Sequence, residues 1–199
     1  MAVSRFSTST VAKGLPKYQK VWDPNAIASG SLVSLQTVTV GSGGAASISF
    51  ASIPQTYTHL HIRGIYRDTS STTGDSALWI QYNGDTGSNY AWHRMWANSA
   101  STSAGASSST TWGLLGVGAY GGNIANQFGA TVADISDYTN TNKTKVSRSL
   151  TGDDANGYGY IGIHSTLWNN TSAVTSITIY PTSSYNFAQY SQFALYGVK

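Results

Sequence analysis

The chain has 199 residues, enough for one substantial hydrophobic core without requiring a second domain. Charge is scarce: Lys and Arg total 11, all 8 acidic residues are Asp, and a formal charge of +3 is spread too thinly for the dense basic face that nucleic acid demands. The absence of cysteine excludes a disulfide scaffold and thiolate chemistry, and no stretch reaches the ~20 apolar residues of a membrane helix, so neither nucleic acid nor membrane is an expected partner.

Residues 1–30 keep no strand or helix period and are interrupted by Gly14, Pro16, Pro24 and Gly30. They read as an extended N-terminal arm, without the apolar run of a secretion signal, ahead of a single domain over residues 31–199. Phe6, Leu15, Tyr18, Val21 and Trp22 are too many apolar residues for a purely solvated tail, so the arm is expected to anchor on the body or on a neighbouring subunit.

From Leu32 the pattern becomes strand after strand. The runs LVSLQTVTV and ASISF flank the turn sequence GSGG and predict a hairpin. THLHIRGIYR sets Leu60 and Ile62 opposite His59, His61 and Arg63, and SALWIQY sets Leu78, Ile80 and Tyr82 opposite Ala77, Trp79 and Gln81. Later runs repeat the alternation with Ile161 and Ile163, Ile177 and Ile179, and Phe193 and Leu195. The serine-rich stretch Asn98 to Thr111, the NTNKT segment around Asn140 and the glycine-rich GVGAYGGN segment are expected to be loops. Eight or more antiparallel strands, no amphipathic helical stretch and no Glu predict an all-β fold. The expected architecture is an antiparallel two-sheet sandwich, in particular a jelly roll.

The loop NGDTGSN, Asn83 to Asn89, alternates oxygen-bearing residues with glycine as calcium loops do, but it has one carboxylate and strand-like flanks. A self-satisfied turn is the simpler reading. Asn83-Gly84 and Thr86-Gly87 would supply positive-φ positions, and Asp85 would accept backbone N–H groups. His59 and His61 share a strand face, yet a third ligand is not marked among His93, His164 and the rest, so no metal and no cofactor is expected. No serine sits in a nucleophile elbow. The acids Asp68, Asp75, Asp85, Asp134, Asp137, Asp153 and Asp154 are expected in loops or at strand ends, unpaired for glycoside chemistry, so the chain reads as non-enzymatic. Trp79, Trp92, Trp96, Trp112 and Trp168, with Tyr90, Tyr158 and Tyr160, are the candidate contact residues. They can fill the sandwich, meet another subunit, or stack on sugar rings.

SIPQTYTHLHIRGIYR, LWIQYNGDTGSNYAWHRM and the late SITIYPTSSYNFAQYSQFALYGVK together resemble a family of tailed-bacteriophage virion structural proteins. In that family a strand opening on IP-x-x-Y-T-x-L precedes one ending in NGD-x-G-x-NY, and the chain closes on F-x-LYG. The resemblance covers Ile53 to Met95 and Ser176 to Gly197. It implies a jelly-roll-like body assembled in the host cytoplasm and carried on the virion, as a capsid decoration or cement, a head fibre or a tail-associated protein. It further implies that Asn83, Gly84, Asp85, Gly87, Asn89 and Tyr90 maintain a recurring turn and that Phe193, Leu195, Tyr196 and Gly197 form the closing strand. Expected partners are further copies of the chain, a trimer by analogy with viral jelly-roll assemblies, and the major capsid protein or another virion protein. The alternative is a carbohydrate-binding module that touches a host glycan.

Overall fold

The computed structural model describes residues 31–70, 76–118, 124–155, 159–182 and 185–199. The arm residues Phe6, Leu15, Tyr18, Val21 and Trp22 lie outside them, as do Asp75 and Tyr158. The described residues form twelve strands and no helix: β1 (Leu32–Thr39), β2 (Ile48–Phe50), β3 (His59–Tyr66), β4 (Ser76–Tyr82), β5 (Tyr90–Asn98), β6 (Ser101–Thr110), β7 (Gly113–Gly118), β8 (Gly129–Ser136), β9 (Lys145–Asp154), β10 (Gly159–Trp168), β11 (Ile177–Pro181) and β12 (Gln192–Val198). They build two antiparallel sheets packed face to face, an all-β sandwich as expected. Eight strands run in the order β1-β12-β3-β8-β9-β10-β5-β6, and four run in the order β2-β11-β4-β7.

The pairing is nested: β1 with β12, β2 with β11, β3 with β8, and β4 with β7. Successive pairs alternate between the two sheets. Two further hairpins, β5–β6 and β9–β10, lie side by side and widen the larger sheet beyond β8. Alternating side chains supply the interior, since a strand with one buried face must alternate apolar and polar positions. Leu60, Ile62, Leu78, Ile80, Ile177, Ile179, Phe193 and Leu195 are each at 0% exposure between the sheets, beside Phe50, Tyr82, Tyr138 and Phe187. Each such aliphatic side chain contributes about 1.5–3 kcal/mol by leaving water.

Three local expectations are corrected. The GSGG turn does not close a hairpin. β1 pairs with β12 and β2 with β11, so the turn, with Gly44 at φ 70, carries the chain from one sheet to the other. The serine-rich stretch is not a loop but the ten-residue strand β6, held in register by β5. In the glycine-rich segment, Gly116, Val117 and Gly118 belong to β7, as the strand-like run TWGLLGVG anticipates, and not to a turn. Asn140 does lie in the loop between β8 and β9.

Candidate functional site

The Asn83–Tyr90 segment satisfies its own polar groups. Asn83 (φ 54) and Gly84 (φ 66) occupy the two central positions of a turn closed by the Asp85 N–H on the Tyr82 carbonyl at 2.9 Å, the two-residue geometry that suits a twisted hairpin. Asn83 Oδ1 accepts from the backbone of Thr175 (2.8 Å) and Ser176 (3.1 Å), tying the turn to the strand that follows. Gly87 is absent from the positive-φ positions, contrary to expectation. Its glycine makes room for the side-chain bonds around it, since a Cβ there would lie 2.8 Å from Asn89 Nδ2 and 3.0 Å from Asp85 Oδ1.

Asp85 is the hub of the segment, accepting from Gly87 N at 2.8 Å, Asn89 Nδ2 at 2.9 Å and Trp168 Nε1 at 2.7 Å. Desolvation pushes its carboxyl upward, but these donors, Trp168 foremost, outweigh it and hold the group below its ordinary range. Tyr90 is buried, accepts the Tyr82 N–H at 3.0 Å and donates to the Asp85 carbonyl at 3.2 Å.

The tryptophans separate into two groups. Trp168 is buried in the main core against Tyr82 and Tyr90. Trp79, Trp92, Trp96 and Trp112 are half-buried and pack on a second, smaller core of Leu114, Val117 and Tyr160. Trp112 stacks on Trp79 at 4.4 Å and on Trp92 at 6.2 Å, while Tyr180 meets Trp79 edge-on. The Arg94 guanidinium lies 3.9 Å from the Trp96 ring centre and 5.7 Å from that of Trp92, within cation–π range. The ring faces are thus largely turned on one another and on Arg94.

The histidines do not converge. His61 Nδ1 meets Asp134 Oδ1 at 2.6 Å, His59 Nδ1 accepts the Asp137 N–H at 3.0 Å, and His93 is exposed on β5. His164 is buried, stacked on Tyr160 with Nε2 3.2 Å from its hydroxyl. Burial, then the neighbouring Arg94, lowers its pKa to about 4. Among the described residues no three of His and Asp are grouped to hold a metal ion. Asp134 departs from expectation by sitting within β8, on its exposed face, while Asp153 and Asp154 end β9.

The most informative surface was not marked in the sequence, because alternation alone does not say which face of β9 and β10 lies inside. Between the buried aromatics Tyr160 and Trp168 of β10, their inward positions are small or polar: Lys145, Ser147, Ser149 and Thr151 on β9, Gly162, His164 and Thr166 on β10. Ile161 and Ile163 point out of the sandwich. The reason lies in β7, which packs over both strands with Gly113 against Thr166 and Gly116 against Thr151, so closely that a Cβ at either glycine would overlap the threonine. β7 is also an edge strand, and its backbone groups need partners. The Thr166 hydroxyl donates to the Leu114 carbonyl at 2.8 Å and Thr151 Oγ1 accepts the Val117 N–H at 3.4 Å.

The apolar side chains of β9 and β10 therefore gather on the outer face of the large sheet. Ladder register aligns Ala104, Met95, Ile163, Leu150 and Val132 in one row across five strands, from β6 to β8. Met95 is 70% exposed, Ile163 63%, Leu150 46% and Val132 41%. Ile161, Ala97, Ala130 and Ile65 follow in the next row, while His93, Ser165, Arg148, Asp134 and His61 form a polar row on the opposite flank. Between Met95, Ala104 and Ala106 on one side and Arg148, Ile163 and Ser165 on the other, the face dips into an open trough of about 640 Å³. Scattered surface apolar residues are ordinary, whereas these form one contiguous row.

A second feature had no signal in the sequence. Lys145 is wholly buried, and its ammonium donates to the carbonyls of Asn140 (2.6 Å), Lys143 (2.7 Å) and Thr171 (2.9 Å), with burial lowering its pKa. Comparison with protein-family models, with curated proteins and with solved structures finds no match to this chain.

Proposed function

We propose that this chain is a non-enzymatic structural component of a tailed-phage particle, a jelly-roll sandwich that is present in several copies and seats its outer sheet face on a neighbouring particle protein. The observation that carries the reading is the facing of β9 and β10, which directs the aliphatic residues Ile161, Ile163, Val146 and Leu150 to the outside while Ser147, Ser149, Thr151, His164 and Thr166 stand inside. Such a face stabilises a subunit when another protein covers it and works against solubility when none does. The nested strand pairing supports the jelly-roll assignment. The IPQTYT, NGDTGSNY and FALYG segments support a place in a phage particle. A low-charge surface suits the role, because it can be covered without desolvating many ions.

The test is incorporation. Leu150→Asp combined with Ile163→Asp changes only exposed positions, so the variant should fold with an unchanged circular dichroism spectrum and yet be lost from gradient-purified particles. Particles that carry the double variant at the wild-type copy number would overturn the reading. Native mass measurement gives the copy number, for which a trimer is the proposed value.

A further inference from the structure

Among the described residues the two sheets have four edge strands, and three are closed in ways that suit a subunit standing alone. β2 is three residues long, β1 is broken by a bulge between Ser34 and Gln36, and β7 is buried at every position. Short, irregular or covered edges deny an incoming strand a ladder to join. β6 differs. It is ten residues long, none of them is buried, and Ser101–Thr110 contains neither a charge nor a proline. Its irregularity is confined to the end beyond Ser107, where the register with β5 shifts and Ser109 takes φ 55.

The sequence of β6 is also symmetric. About Gly105, Ala104 mirrors Ala106 and Ser103 mirrors Ser107, and Thr102 mirrors Ser108 with one methyl group of difference. When two identical strands pair antiparallel about a twofold axis, each residue faces its mirror position on the other copy, so this symmetry sets Ala against Ala and Ser against Ser. The faces agree with that pairing. On the outer side Ala104 and Ala106 lie beside Met95 and His93, so the pair would join the apolar face of one copy to that of the next. On the inner side the Trp96 indole reaches toward Gly105, with Cζ3 3.4 Å from where a Cβ would stand, and covers the strand from below.

We infer that β6 is a self-association edge: two copies of this chain pair their β6 strands antiparallel about Gly105, extending one eight-stranded sheet into the other. The inference rests on the self-association proposed above; because a twofold contact joins copies in pairs and cannot by itself close a trimer, β6 pairing predicts a dimer or, where a threefold contact is also present, a hexamer. The test compares the wild-type chain with two double variants by sedimentation equilibrium. Ala104→Lys with Ala106→Lys places like charges opposite each other twice across the axis and should weaken association roughly ten-fold or more. Ala104→Asp with Ala106→Lys places opposite charges at the same two contacts and should restore it to wild-type strength. Unchanged circular dichroism and urea midpoints of the dissociated protein confirm that each variant folds. As a second readout, chains carrying Ala104→Cys mixed with chains carrying Ala106→Cys should form the mixed disulfide under mild oxidation, and neither chain alone should cross-link.

A wild-type monomer at high micromolar concentration would overturn both this pairing and self-association. An assembly equally strong in all three proteins would overturn the β6 pairing and leave self-association standing. Equal weakening by both double variants would overturn the register about Gly105.

Discussion

At the edge of the four-stranded sheet β7 is buried from Gly113 to Gly118, whereas at the edge of the eight-stranded sheet β6 is exposed or half-buried from Ser101 to Thr110. Both strands are rich in small residues, yet smallness serves opposite ends. In β7 it lets β9 and β10 approach until threonine hydroxyls reach the backbone. In β6 it leaves a flat rim that another strand can meet. The treatment of β7 also propagates. Because Thr151 and Thr166 stand inside and bond to it, the aliphatic residues Val146, Leu150, Ile161 and Ile163 are directed outward, and the exposed apolar row follows from how one edge is protected.

The fold is most sensitive to substitution at β7. Gly116→Val would drive a branched side chain into Thr151 and should destabilise the fold by about 3 kcal/mol, read as a lower urea midpoint, or prevent folding. Next comes the region between the two edges, where His164 on β10 faces Arg94 on β5. Its folded pKa of about 4 lies below the ordinary 6.5, so the unfolded chain binds the proton first. Stability should be intact above about pH 6.5 and fall by about 3 kcal/mol as the pH drops toward about 4. His164→Gln should flatten that slope in denaturation curves taken across the range. Thr166→Val keeps the shape but leaves the Leu114 carbonyl without its donor, and should cost about 1–2 kcal/mol. The smallest effect belongs to β6: Ser103→Val on the exposed strand should move the urea midpoint of the dissociated chain by less than about 0.5 kcal/mol equivalent.

Much of the sandwich was legible because its core strands obey a period of two with large apolar residues on one face. Leu60 and Ile62, Leu78 and Ile80, and Ile177 and Ile179 all face the interior. The Asn83–Tyr90 segment was legible for a related reason, since Asn-Gly between two such strands has few alternatives. Period alone does not say which face is inside, however, and at Ile161 and Ile163 the apolar positions point outward. β6 was illegible because Ser, Thr, Ala and Gly carry no hydrophobic alternation, and what makes the segment a strand is its pairing with β5. The GSGG turn was misread because a turn signal marks a reversal of the chain without saying which sheet receives the next strand. Lys145 could not be anticipated at all. Its burial depends on three carbonyls from two loops, and a lone lysine in sequence reads as a surface residue.

That lysine sets how the end of the sandwich near Asn140 and Thr171 is held together. A cation ringed by carbonyl oxygens is the arrangement by which many extracellular proteins fasten loops with calcium, but here the positive charge is covalently part of β9. A fastener of that kind cannot be leached by a chelator or lost on dilution, and it is in place as soon as the chain has folded.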